Sequence, residues 1–154
     1  MAHDIHSFIK KEEIQDFIKR NESYYLANIF IPDASKETIE VGLYNKDKDK
    51  MKTYTEGNVE ESTDIAKTGN EINKLELNKE ILSFEDAVKA AKKENEDNKP
   101  YKRVLGVLQN SGEPVWTMTL ITIEYTVYTI KIQAENEDVL SKKESNMMSW
   151  VKTA

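Results

Sequence analysis

The feature that most constrains this chain is a series of short β-forming segments in its second half. Residues 101–109, 115–123 and 125–133 are rich in Val, Ile, Thr and aromatic side chains. Short polar turns separate them, and a weaker segment begins at Val139. Closely spaced segments of this kind are typical of strands joined by hairpins. The second half therefore predicts an antiparallel sheet.

The most apolar stretch, residues 114–134, also predicts a sheet rather than a membrane span. It carries Glu124, Lys131 and many threonines, whereas a membrane helix needs an uninterrupted apolar run. The N-terminal residues lack the basic and apolar regions of a signal peptide. We therefore expect a cytoplasmic protein, or an extracytoplasmic one if an N-terminal signal or anchor has been removed.

A helix is predicted ahead of each group of strands. Within residues 7–21, Ile14, Phe17 and Ile18 share one face of a helix, with acidic residues near its start and basic residues near its end. Ser83 is a candidate N-cap for a second helix, which ends before Pro100.

The first half follows the same order as the second. Strands are predicted over residues 24–31, 38–44 and 51–54, and residues 56–78 are interpreted as a connector with a short helical turn near residues 59–66. Three alternating residues of the middle strand are expected to face one way: Ile39, Val41 and Leu43.

Together these patterns predict an α+β fold, an antiparallel β-sheet with helices packed on one side, built from two tandem α-β-β-β units. Residues 1–154 would form a single compact protein, subdivided into 1–55, a connector at 56–78, and 79–154. A half of this size is only marginally stable alone, so the halves should share a core or a sheet.

Three segments of the second half carry a family resemblance. They are the helix SFEDAVKAA at 83–91, the strand PVWTM at 114–118, and the strand YTIKIQA at 128–134, which leads into a polar turn. In this order they resemble the PepSY family over residues 83–142. PepSY domains are small α/β modules of metallopeptidase propeptides and of free-standing extracytoplasmic proteins. The family usually has Asp where this chain has Gln133, and Thr-Gly where this chain has residues 136–138.

The resemblance implies an antiparallel sheet crossed by a helix, which is a PepSY-like or cystatin-like arrangement. The first half of the chain would be a more degenerate copy of this unit. It also implies a non-catalytic role, with a binding or peptidase-inhibiting function in relatives, and an extracytoplasmic setting.

The amino-acid composition and net charge argue against several kinds of catalytic and binding site. The absence of cysteine excludes disulfides, thiol nucleophiles and cysteine-ligated metals. A net charge of −6 argues against nucleic acid or an anionic membrane as a partner. The glycines are isolated, so no phosphate-binding loop is expected. We predict no cofactor.

Histidine and carboxylate chemistry has weak support. His3 and His6 are the only histidines, and a helix would place them beside Asp4 as metal ligands. The favoured interpretation is a frayed terminus without a metal. Glu124 is either a buried carboxyl with a raised pKa or a turn residue that faces water, and the second is favoured. We predict no catalytic residue and no enzyme.

The aromatic residues on the predicted strands are the candidate binding residues. They either form the core beneath the helices or a surface patch for a partner. The predicted function is a non-enzymatic binding or regulatory module that recognises a protein or peptide through a sheet face or edge. The alternative is a small apolar ligand held in a pocket between helix and sheet. The candidate binding residues are Tyr25, Trp116, Tyr125 and Tyr128.

Overall fold

The computed structural model describes residues 3–63, 72–77, 80–95 and 100–146. These residues form three helices and eight strands. The helices are α1 (Ile5–Ile9), α2 (Glu12–Arg20) and α3 (Phe84–Glu94). The strands are β1 (Tyr25–Ile31), β2 (Glu40–Asn45), β3 (Lys50–Thr55), β4 (Asn58–Thr63), β5 (Tyr101–Asn110), β6 (Pro114–Thr122), β7 (Thr126–Gln133) and β8 (Val139–Asn146).

The strands form one sheet in the order β4-β3-β2-β1-β5-β6-β7-β8, in which every neighbouring pair is antiparallel. Each half of the chain is a four-stranded meander, and the two meanders meet where Asn28–Ile31 of β1 pairs with Gly106–Gln109 of β5. The predicted α+β class with an antiparallel sheet is confirmed. The first half has four strands after its helices, one more than the three predicted there, and the second half has the four that its segments indicated, whereas an α-β-β-β unit has three.

All three helices pack on the same face of the sheet. One cross-strand row joins β3 to β6 on this face, and it consists of Tyr54, Val41, Ile29, Leu108 and Trp116. Phe17 of α2 packs against Tyr54 at one end of the row, and Phe84 of α3 packs against Trp116 at the other. Ile5 of α1 belongs to the same apolar cluster. We call this side of the sheet the covered face.

The predicted helix over residues 7–21 is two helices that meet at Lys11. Lys11 has an extended backbone, with φ −58° and ψ 142°. Ile5 and Ile14 are nine residues apart and would lie on opposite sides of one continuous helix. The break allows both side chains to be buried in the same core.

The connector predicted over residues 56–78 is partly a strand. Glu56 and Gly57 have φ values of 47° and 89°, and they form the two-residue turn of a β3–β4 hairpin. The helical turn expected near residues 59–66 is therefore wrong over residues 59–63, which belong to β4, and residues 64–66 lie outside the described part. Leu75 is buried, and its N–H donates to the Leu26 carbonyl.

The second helix agrees with its predicted position. Ser83 is its N-cap, and its hydroxyl accepts a hydrogen bond from the Asp86 N–H at 3.1 Å. Phe84, Ala87 and Ala91 are buried at helical spacing, which fixes α3 across β6 and β7.

Candidate binding surface

The second face of the sheet carries none of the three described helices. Side chains alternate along a strand, so the neighbours of the core residues point to this side, which we call the open face. Its central side chains are half-buried and lie outside the core cluster. They are Phe30 on β1, Leu105 and Val107 on β5, Thr117, Thr119 and Ile121 on β6, and Thr129 on β7.

Charge is unevenly divided over the open face. Strands β5–β8 place three cations there and no carboxylate, because their only acidic residue, Glu144, pairs with Tyr128 on the covered face. Strands β1–β4 place two carboxylates there and no cation. The cations are Arg103, Lys131 and Lys143, and the carboxylates are those of Glu40 and Glu60.

One row of cross-strand neighbours runs across the centre of the open face, with an acidic residue at one end and a basic residue at the other. Its members pair directly, each with the next, over strands β2, β1, β5, β6 and β7. In order they are Glu40, Phe30, Val107, Thr117 and Lys131. Glu40 accepts a hydrogen bond from the Thr55 hydroxyl at 2.7 Å, and Lys131 is exposed.

Two of the four predicted binding residues are in the core. Trp116 is fully buried on the covered face, and its indole N–H donates to the Leu82 carbonyl at 2.9 Å. Tyr128 is 3% exposed on the same face, with the Lys142 ammonium 5.7 Å from its ring centroid. The surface role is therefore wrong for Trp116 and Tyr128, and the core interpretation is correct.

Tyr125 lies on the surface at the β6–β7 turn. It is 41% exposed, and Ile123 beside it is 57% exposed. The Lys102 ammonium is 4.6 Å from its ring centroid. Its φ of 64° is uncommon for a bulky residue. Glu124 is exposed in the same turn, as the favoured interpretation has it.

Tyr25 is half-buried at the opposite end of the sheet, so it does not cluster with Tyr125. Its hydroxyl donates to the Ile72 carbonyl, and its ring packs edge-on against Tyr44 at 5.7 Å. Tyr44 donates a hydrogen bond to the Asp49 carboxylate, which raises the pKa of Tyr44 to about 12.

The place expected for an apolar ligand, between helix and sheet, is filled where Phe84, at the start of α3, contacts Gly106 of β5. A Cβ atom on Gly106 would lie 2.8 Å from the Met118 sulfur and 2.9 Å from Phe84 Cε1, so even a methyl group lacks space. A groove of about 530 Å³ does lie between α2 and the β3–β4 hairpin. Its lining is largely charged or polar, and includes Glu13, Asp16, Arg20, Lys52 and Tyr54.

His3 is docked rather than frayed, which corrects the expectation for the terminus. It is 3% exposed, its Nε2 is hydrogen-bonded to the Lys36 carbonyl, and its ring packs edge-on against Phe84 at 5.0 Å. Its Nδ1 lies 3.5 Å from Glu85 Oε1. Among the described residues, no group of three or more His, Cys, Asp or Glu side chains is placed to hold a metal ion.

No family model matches the chain, and no curated protein matches it. Among solved structures, the chain is similar in fold to a "putative lipoprotein" from Clostridium difficile 630, with a TM-score of 0.61 and 15% sequence identity. The similarity covers 87% of this chain and 91% of the other. In the part of the chain that is described, none of the helices has the length and apolar character to cross a membrane.

Proposed function

We propose that this protein is a non-enzymatic binding module that recognises a protein partner through the open face of its sheet. The observation that carries this proposal is the central row from Glu40 to Lys131, with its apolar middle and charged ends. A partner that binds to such a face covers its apolar side chains, and the charges at the two ends of the row fix the partner's orientation.

The side chains of the open face suit a flat protein surface. Threonine and β-branched residues on adjacent strands pack at the spacing that a facing sheet presents. Phe30 supplies an aromatic contact near the centre, and Arg103 is of a type enriched at interfaces. An organic ligand would instead need a concave apolar pocket, and over Gly106 the side chains of Phe84 and Met118 leave no such space.

We also propose that the protein is extracytoplasmic and that its sheet is built from two related units. Fold similarity to a "putative lipoprotein" supports the extracytoplasmic alternative over the cytoplasmic one, as does the PepSY resemblance. The order of the strands supports two related units, since β1 to β4 and β5 to β8 are arranged outward from the β1–β5 pair.

Site-specific photo-crosslinking in the producing cell tests the binding role. A photoreactive residue at Thr119, on the open face, should give a discrete protein adduct, whereas one at exposed Lys93 of α3 should not. Lys143→Glu should weaken the Thr119 adduct, and the matched Lys89→Glu should leave it unchanged. Equal adducts at both positions, or none at Thr119 in the folded protein, would contradict the proposal.

A further inference from the structure

A cavity of about 420 Å³ lies on the open face, between the sheet and the segment that begins at Ile72. Its lining is mostly polar, unlike the pocket that an apolar ligand would need. We infer that this cavity binds a sugar acid, that is, a hydroxylated ring with one carboxylate. The inference goes beyond the proposed function, because it assigns a small ligand to a separate site that shares only Lys131 with the central row.

One wall of the cavity is this short segment, which hydrogen bonds hold against the sheet. The hydroxyl of Tyr25 donates to the Ile72 carbonyl. The Asn73 carboxamide donates to the backbone carbonyl of Asn110 at 3.3 Å, and the Asn110 carboxamide donates to the Lys74 carbonyl at 2.9 Å. Tyr25 begins β1 and Asn110 ends β5, so the wall is fixed to two neighbouring strands.

The rest of the lining includes polar side chains that the fold itself does not use. Asn28 of β1 and Gln109 of β5 are direct cross-strand partners, so their Cβ atoms are about 5 Å apart. Ser111 follows β5, and Lys131 reaches the cavity from β7. Within the described part of the chain, the side chains of Gln109, Ser111 and Lys131 make no hydrogen bond or ion pair. They are therefore available to a ligand.

The kind of polar group in the cavity favours a ligand with hydroxyl groups. A carboxamide both donates and accepts hydrogen bonds, as a hydroxyl does. Asn28 and Gln109 lie on inner strands, whose backbone groups pair with the neighbouring strands. An extended peptide binds a sheet through the main-chain groups of a free edge. The cavity offers side-chain groups instead, which suits a sugar rather than a peptide.

The charge in the cavity favours one carboxylate on the ligand. Lys131 is the only charged side chain among the described residues that line it. A phosphate group carries about 1.5 to 2 negative charges at neutral pH, whereas a carboxylate carries one, so a single ammonium matches a carboxylate. Three apolar side chains also line the cavity and can cover the C–H face of a sugar ring. They belong to Ala27, Met51 and Ile72.

Gly42 positions one of the two carboxamides. A Cβ atom on Gly42 would lie 2.6 Å from Asn28 Oδ1 and 3.0 Å from Asn28 Nδ2, so the glycine leaves the space that the Asn28 carboxamide occupies. The Asn28 carboxamide nitrogen lies 3.9 Å from the Met51 sulfur. Gly42→Ala should displace this carboxamide and weaken ligand binding by about two- to tenfold, the effect of losing one neutral hydrogen bond.

NMR titration of the isotope-labelled chain with two hexuronates, D-glucuronate and D-galacturonate, tests the inference. At least one of them should bind about tenfold or more tightly than each of three comparison ligands. These are D-glucose, which lacks the carboxylate, cyclohexanecarboxylate, which lacks the hydroxyl groups, and N-acetylglycylglycine, which is a peptide. The side-chain NH₂ signals of Asn28 and Gln109 should shift as the hexuronate binds.

A variant of the single cation tests the carboxylate contact. Lys131→Met removes the ammonium, and because Lys131 is exposed the variant should fold as the wild type does. Its Kd for the hexuronate should rise about tenfold or more. Lys143→Met, on the open face but outside the cavity lining, is the matched control and should leave the Kd unchanged.

Absence of binding by both hexuronates would overturn the inference, and so would equal binding of any comparison ligand. An unchanged Kd in Lys131→Met, or an equal loss in Lys143→Met, would also overturn it. The Thr119 adduct is independent of this test, since Thr119 does not line the cavity. A failed titration therefore leaves the proposed protein-binding role standing, and a missing adduct leaves the sugar-acid site standing.

Discussion

The ring of Phe84 lies over Gly106, so that a Cβ atom on Gly106 would be 2.9 Å from Phe84 Cε1. Met118 closes the same space from the neighbouring strand, with its sulfur 2.8 Å from that position. Helix α3 therefore rests on the sheet at a point where only glycine fits. This contact fixes which face of the sheet is covered.

Gly106→Ala should lower the free energy of unfolding by about 1–3 kcal/mol, because the added methyl group overpacks the core. Gly42→Ala is the matched control on the open face. Its Cβ would lie 2.6 Å from Asn28 Oδ1, the end of a side chain that can swing away. Urea denaturation measures both variants, and a loss for Gly42→Ala as large as that for Gly106→Ala would contradict the assigned faces.

Trp116→Phe should cost about 1–3 kcal/mol in the free energy of unfolding, because the Leu82 carbonyl loses the indole N–H that it accepts. Tyr125→Phe, at the exposed β6–β7 turn, should change that free energy by less than about 0.5 kcal/mol. Chemical denaturation of both variants tests the core assignment of Trp116. The reverse order of the two losses would refute it.

The Tyr44–Asp49 hydrogen bond predicts a loss of stability at alkaline pH. The pKa of Tyr44 is about 12 in the folded protein, against an ordinary 10.0, so the folded state keeps a proton that the unfolded state releases. The stabilisation is complete below pH 10 and is lost as the pH rises from 10 to about 12.

Tyr44→Phe should therefore flatten the dependence of unfolding free energy on pH in this range. Part of the slope should remain, because the hydrogen bond from Tyr54 to Glu13 also raises the pKa of Tyr54. Urea denaturation at several pH values measures the slope. An unchanged slope in Tyr44→Phe would show that the bond to Asp49 does not hold the proton.

The sequence predicts the inner strands better than the edge strands, for a physical reason. Inner strands such as β5 bury alternate residues, and Val104, Gly106 and Leu108 show that alternation. Strand β4 is exposed at every position, so no alternation of apolar residues marks it. Strand β8 is also almost wholly exposed, and only its first two residues, Val139 and Leu140, gave a signal.

Alternation alone could not assign faces to the sheet. It separates Phe30 from Ile29 and Ile31 on β1, but it does not say which set the helices cover. Trp116 and Tyr128 were therefore candidates for the surface, although both are buried. The charge division of the open face also depends on which strands are neighbours, and the β1–β5 pairing joins distant parts of the chain.

The most direct test of the open face is the reactivity of a single introduced thiol, because the chain has no cysteine of its own. Val107→Cys and Val104→Cys make the same change on one strand, on the open and the covered face respectively. In dilute folded protein, the Val107→Cys thiol should react at least about tenfold faster, because the Val104→Cys thiol reacts only when the structure opens. Equal protection of the two thiols would show that the open face is covered, and would contradict the account.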